Sequence, residues 1–233
     1  VIVGIMGSIM DSDVDGNGAG NAQTDISSHQ LGVYAGVDFG KFNVDATLSY
    51  GRNSNDGSRD IVLGGTSLTA LSDYDSSQTS VAVIGTMPLV ANDITFSPRL
   101  GLSHTRVSTD TYTETGAGAL NLTVNTADSS STLGLFGLGL SKVMDQTKGT
   151  LTLSAGVDGQ YGISTDDVSA SSTFSGGGTS FTTNGIDAPT FTGIASLGAV
   201  YDTGMYELFG GFTHERSSGF SANTVRGGLK VNW

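Results

Sequence analysis

Apolar and polar residues alternate along much of the chain with a period of two. In "KFNVDATLSYG", Phe42, Val44, Ala46, Leu48 and Tyr50 fall on one side; Asn43, Asp45, Thr47 and Ser49 fall on the other. Strict alternation marks a strand with two unlike surroundings. "QLGVYAGVDFG" sets Leu31, Val33, Ala35, Val37 and Phe39 against Gln30, Tyr34 and Asp38. "LTLSAGVDGQYGI" sets Leu151, Leu153, Ala155, Val157, Tyr161 and Ile163 against Thr152, Ser154, Asp158 and Gln160. The pattern predicts ten strands near 1–10, 28–39, 42–53, 78–89, 93–107, 120–143, 150–164, 190–201, 205–216 and 220–233, and no helix. Glycines on both sides of "LGLFGLGL" predict a bulge in the 120–143 strand. Pro98 cannot donate to a ladder and predicts a second bulge, whereas Pro88 lies beside a turn, where it costs little.

The connections alternate in length. Gly40–Lys41, "VAND", "MDQTKG" and "DTG" are short; 11–27, 54–77, 108–119 and 165–189 are long and rich in Asp, Ser, Thr, Gly and Asn. Short turns at one end and long polar loops at the other are the layout of an outer-membrane barrel. A soluble β-sandwich also alternates, so the period alone does not choose between them. Aromatic placement favours the barrel, whose interfaces carry aromatic girdles. Phe39, Phe42, Phe96, Tyr201, Tyr206 and Trp233 fall near the turn end, and Tyr50, Tyr161 and Phe212 nearer the loops. The chain stops on an amphipathic strand, with Val225, Gly227, Leu229, Val231 and Trp233 on one face. In lipid, an open sheet edge is not tolerated, so this last strand is expected to pair with the first. The fold class expected is all-β: an antiparallel up-and-down transmembrane β-barrel, occupying 1–233 as one domain.

Composition narrows the partners. Formal net charge is −12, which disfavours nucleic acid and docking on anionic lipid. Without cysteine there is no disulfide, thiolate metal site or thiol nucleophile. No run of 18 apolar residues is present, so no transmembrane helix is expected. Residue 1 already lies inside a strand pattern, so a removed signal or a larger upstream region is expected.

"SPRLGLSHTRVSTDTYTETGAGALNLTV" (97–124) resembles the centre of bacterial autotransporter β-domains, and "KFNVDATLSYGRNSNDGSR" (41–59) is similar to their upstream segment. The terminal aromatic resembles the signal read by the outer-membrane assembly machinery. The resemblance implies a translocator that anchors the protein and helps export its own N-terminal passenger. It implies a Gram-negative outer membrane, loops extracellular, turns and C-terminus periplasmic. It also implies outer-membrane lipid, lipopolysaccharide and the barrel-assembly machinery as partners, the last through Leu229, Val231 and Trp233. No cofactor is implied. Family members have twelve strands, so the ten visible here become twelve if two lie upstream; the pore helix of the family is not in this stretch.

The polar faces carry Asp38, Asp45, Arg99, Asp158, Glu207, Arg226 and Lys230. A cation facing lipid at the midplane costs about 2–4 kcal/mol, so these are expected to face a polar lumen. They read first as ion pairs holding the wall and second as a conduit lining. "DSDVDGNGAGNA" opens like an EF-hand with Asp11, Asp13 and Asp15, but its twelfth position is Ala22 rather than Glu and its flanks are strands. A hydrated external loop is therefore expected, with no metal. His29, His104 and His214 invite comparison with omptins, ten-stranded outer-membrane proteases, yet no motif supplies a positioned partner and "GxSxG" is absent. A non-enzymatic barrel is expected. The alternatives are a stand-alone pore or structural barrel, an omptin-like protease, or a soluble β-rich adhesin.

Overall fold

The computed structural model describes residues 1–16, 21–185 and 187–232. Ten long strands follow one another: β1 (Ile2–Asp15), β2 (Gln23–Asp38), β3 (Asn43–Leu63), β4 (Thr66–Thr86), β5 (Ile94–Thr109), β6 (Ser129–Gln146), β7 (Gly149–Thr165), β8 (Phe191–Asp202), β9 (Tyr206–Ser217) and β10 (Phe220–Val231). Each pairs antiparallel with its sequence neighbours, which is an up-and-down meander. The short strand Leu89–Ala91 adds to β5. The only helical turn among the described residues is the 3-10 turn Gly118–Leu120.

The sheet curls, and its two faces differ as the alternation requires. Along β3, Leu48 and Tyr50 are exposed on the convex side while Ser49 and Gly51 are buried on the concave side. The registers carry this division across the sheet. Val33 stands beside Leu48, Leu48 beside Val81, Leu138 beside Val157, and Phe212 beside Val225. Ile5, Leu31, Leu100, Val157, Leu197 and Val225 are each more than 60% exposed on the convex side. An apolar band of that extent has no place in water; it matches a hydrocarbon boundary. Phe39 and Phe42 stack at the turn end with ring centroids 4.9 Å apart.

Several expectations change. β1 and β10 are the two edges of the sheet, and no ladder joins them among the described residues. The ten strands therefore form an open, curled sheet whose two edges are unpaired among the described residues. Segment 54–77 is not a loop. It is strand up to the tight turn Gly64–Gly65, whose φ values of 58° and 83° suit a two-residue hairpin. β3 and β4 thus have 21 residues each, about twice what a tilted strand needs to cross a bilayer. Asp11 to Asp15 are likewise strand. Pro98 makes no bulge: Pro98 stays opposite Leu138 in unbroken register with β6. On its other side Met87 N–H donates to the Pro98 carbonyl at 3.0 Å, and only the reciprocal bond is lost. "LGLFGLGL" runs in register too. The predicted 120–143 strand is instead broken after Thr126, and the register shift falls at Gly162/Ser164.

Beyond the loop-side rim the wall continues as a four-stranded sheet: Phe181–Asn184, Ser169–Phe174, Leu122–Thr126 and Tyr112–Thr113. Its register puts Tyr112, Val124, Ser172 and Phe181 on one face. That face meets the concave side of the projecting β3–β4 hairpin. Here lie the three buried apolar residues of the described chain, Ala70, Ala117 and Val124. Arg59 grips Glu114 with Nε–Oε1 3.1 Å and Nη2–Oε2 2.6 Å, and Leu122 N–H donates to the same carboxylate at 2.8 Å. Tyr74 and Tyr112 stack beside this pair at 4.2 Å. Burial first, then the nearby Tyr74 and Glu114, push the Tyr112 phenol up to about 12 from its ordinary 10.0, with Arg59 opposing.

Two outcomes follow from this small core. Replacing Arg59 by Leu leaves Glu114 buried without its cation and should destabilise the rim module by about 2–4 kcal/mol. Protease cleavage within 112–126 of the purified, folded protein should rise, while the ladders of the ten long strands stay protected. The Tyr112 phenol releases its proton more readily from an opened module, at about its ordinary pKa. Its stabilising contribution is therefore complete below pH 10.0 and disappears as pH climbs through about 12. Burial also pushes the Tyr74 phenol up, so ultraviolet titration of tyrosinate should show a late-ionising phase whose last step Tyr112→Phe removes.

Candidate functional site

The concave face is built from the alternate residues that the convex band leaves over. Hydrogen-bond registers place Asp38, Asp45, Arg99, Asp158, Glu207, Arg226 and Lys230 all on this face. Arg99 on β5 reaches across β6 to Asp158 on β7, and the two form a bidentate pair. Gly137 lies between them on β6, and a Cβ there would collide with the Asp158 carboxylate. The glycine within "LGLFGLGL" is thus the gap that lets an arginine and an aspartate meet over a strand. Lys230 and Glu207 sit directly opposite on β10 and β9, with Nζ–Oε2 3.7 Å.

Asp38 does something more local. Its Oδ1 accepts from Gly40 N–H at 2.6 Å, closing the β2–β3 turn. Asp202 repeats this at the β8–β9 turn, accepting from Gly204 N–H at 2.7 Å. Arg226 forms no ion pair with a carboxylate among the described residues. It lies across Gly211 and shares with Arg99 and Asp158 a concave cavity of about 310 Å³.

At the rim, aspartates mark the points where wall strands break into the upper sheet. Asp128 accepts from Arg106 Nη2 and Ser108 Oγ, both at 2.6 Å. Asp166 accepts from Ser130 N–H at 2.9 Å and from its hydroxyl at 2.7 Å. These hydrogen bonds hold both carboxyls below their usual range, Asp128 chiefly through Arg106 and Asp166 chiefly through the Ser130 hydroxyl. These staples, like Arg59–Glu114, join residues far apart in sequence, so the local sequence around each shows only loop polarity. One signal was present: Gly64–Gly65 between "IVL" and "TSL" is a hairpin signature.

Other candidates are dispersed. Asp11, Asp13 and Asp15 share one side of a regular strand, where i and i+2 lie roughly 7 Å apart and do not converge on an ion. Asp11 instead accepts from the Ser27 hydroxyl at 3.0 Å. No group of three metal-binding side chains occurs among the described residues. His29, His104 and His214 all stand on the convex side. His104 Nδ1 bonds Thr132 Oγ1 and His214 Nδ1 bonds Asn223 Oδ1, each at 2.9 Å, rather than a carboxylate. Leu229 and Val231 are exposed on the convex side of β10, and Trp233 lies outside the described residues. The arrangement offers a polar, hydrogen-bonding wall on the concave side.

No curated protein matches the chain in sequence. The fold is similar to the translocator domain of the autotransporter NalP from Neisseria meningitidis, at TM-score 0.72 and 20% identity, covering 99% of this chain and 76% of that one. It is also similar to the β-domain of the Bordetella autotransporter BrkA, at TM-score 0.61 and 16% identity, covering 99% of this chain and 91% of that one. Identities this low speak only to the fold. The family model for the autotransporter β-domain, however, matches residues 1–213. A sheet with a hydrocarbon-compatible outside and an ion-paired polar inside therefore carries that family's sequence pattern nearly from end to end, and the chain belongs to the autotransporter β-domain family.

Proposed function

We propose that this domain sits in a Gram-negative outer membrane as a translocator, anchoring the protein and helping carry an N-terminal passenger to the cell surface. The observation that carries the reading is the pairing of family membership with the two-faced wall. The convex side satisfies lipid, and the concave side offers hydroxyls, glycines and paired charges to a hydrated polypeptide. The short turns and the C-terminus face the periplasm, and the long hairpin β3–β4 with its rim sheet faces outside. Lipid and lipopolysaccharide contact the convex band. Leu229, Val231 and Trp233 form the side of the last strand that the barrel-assembly machinery reads. The domain does not itself catalyse a reaction. The seven concave-side charges serve first to hold the wall polar and in register, and second to line the conduit.

The test is surface display in the full-length protein. An epitope tag placed upstream of residue 1, behind the native leader, should be removed by protease added to intact cells. A tag that stays protected until the outer membrane is broken, with the barrel fully assembled, overturns the translocator reading. Deleting Trp233 should lower the heat-modifiable, membrane-assembled fraction several-fold; unchanged assembly would remove that residue from the recognition side.

A further inference from the structure

Every histidine of the chain stands on the convex side with an arginine next to it. His29 lies directly opposite Arg52 on β2 and β3. On β5 and β9, Arg106 and Arg216 follow His104 and His214 on the same face. Each histidine is the first convex residue beyond the apolar run of its strand, next after Leu31, Leu102 and Phe212 respectively. Each also stands about 9–11 residues from its strand's short turn, the length that crosses a bilayer. The couples therefore mark the loop-side border of the apolar band. A net charge of −12 disfavours docking on an anionic surface as a whole, but at this one level cations are gathered on the outside of the wall.

At the first couple the wall is also grooved. A convex groove of about 770 Å³ is lined by Ile9, His29, Leu31, Tyr50 and Arg52, with Gly7 as its floor. A second groove of about 620 Å³ shares Gly7, Leu31 and Tyr50 and continues toward the turn end past Ile5, Val33 and Leu48. Ile5, Ile9 and Leu31 are each more than 70% exposed. Arg52 is held only loosely, with Nη2 3.5 Å from Asp75 Oδ2 and both side chains at least half exposed. Nearer the rim, Asp13, Asp25, Asp56 and Asp73 stand side by side across β1 to β4. Like charges directly opposite one another repel, and this row closes the rim side of the groove to an anion.

An apolar track, two nitrogen donors at its head and an acidic row beyond them fit one kind of ligand: acyl chains ending in a phosphate. A guanidinium forks onto phosphate oxygens, and an imidazole N–H donates to them in either protonation state. We propose that this groove is a binding site for a phosphorylated lipid of the outer leaflet, with Arg52 and His29 on the phosphate and an acyl chain lying along Gly7, Leu31 and Leu48. The aspartate row fixes the height of the phosphate by repelling it from the rim. The proposal rests on the outer-membrane reading and deepens it: general contact with the convex band becomes one site with named partners for the headgroup.

The experiment uses the purified full-length protein in a maltoside detergent, which carries no phosphate. A chelator is present, so that the aspartates recruit no lipid through a divalent cation. The probes are the fluorescent, acylated disaccharide anchor of lipopolysaccharide with its phosphates, and the same anchor with the phosphates removed; inorganic phosphate is the competitor. Wild type should bind the phosphorylated lipid at least about tenfold more tightly, as expected for charge-assisted hydrogen bonds. Arg52→Gln combined with His29→Gln should abolish that preference in a barrel that still shows its heat-modifiable gel shift, and Arg52→Lys should keep part of it. Asp75→Asn, which frees Arg52, should strengthen the preference; where the double variant does not assemble, this variant decides alone. A preference unchanged or weakened by Asp75→Asn overturns Arg52 as the phosphate ligand. Equal binding of the two lipids by wild type overturns the site, and so does a preference that survives the double variant. Inorganic phosphate binding as tightly as the lipid assigns the residues to a small anion and overturns the lipid ligand. Fractionation of the same cells separates the two ideas: protein in the outer membrane with no phosphate preference sinks the site alone, while protein absent from that membrane sinks the reading beneath it.

Discussion

Everything in this fold depends on keeping backbone amides and carbonyls paired where no water can reach them. A lipid-exposed group left without a partner costs several kcal/mol, so only closed ladders or helices survive in hydrocarbon. The chain meets this with ladders that run through β2 to β9 in continuous register apart from one shift at Gly162/Ser164, near the loop-side rim. Pro98 illustrates how strict the demand is. A bulge would have spoiled several bonds on two ladders; the chain instead keeps register and forgoes one, at the turn end where β4 is giving way to the short strand Leu89–Ala91. The same demand makes β1 and β10 the unfinished part of the wall, since within the membrane both edges need backbone partners.

Once the ladder is fixed, the side chains have only two destinations, and this explains how much could be read in advance. Period-two alternation in segments such as 42–50 and 151–161 located the strands and sorted their faces, because hydrocarbon and water select opposite residues at successive positions. Parity also puts Arg99, Asp158, Glu207, Arg226 and Lys230 on one face of the sheet. Alternation lapses where both faces are wet. Residues 54–77 are strand for most of their length, but Arg52, Ser54 and Asp56 on the outside and Asn53 and Asn55 on the inside are all polar. With no contrast between faces the period vanishes, and the segment looked like a loop. Partner identity was illegible for a different reason. Arg59 with Glu114, and Arg106 with Asp128, meet across 55 and 22 residues of sequence, and nothing local encodes those distances.

The two environments also divide the sources of stability. On the convex side of the wall the apolar side chains stay exposed rather than packing against other protein elements. Among the described residues the wall there buries no apolar side chain. Above the rim, where water returns, the chain builds a protein interior of the ordinary kind: Ala70, Ala117 and Val124 out of solvent, a gripped carboxylate and two stacked tyrosines. Hydrophobic burial can act only where water is the alternative. The rim therefore stabilises itself by packing and ion pairing, while the membrane part relies on its ladders.

Glycine links these layers. At Gly137 its missing side chain lets Arg99 reach Asp158 over a strand, and at Gly156 and Gly211 it lets guanidinium groups lie against the wall. Each of these glycines weakens the strand it occupies, since it loses more freedom on folding and packs nothing. In a wall built only for strength, alanine would be the better residue at such sites. What the glycines give in return is room on the concave side, close to the wall, for long charged groups. That trade is made on the concave side of strands whose outer faces carry the apolar band.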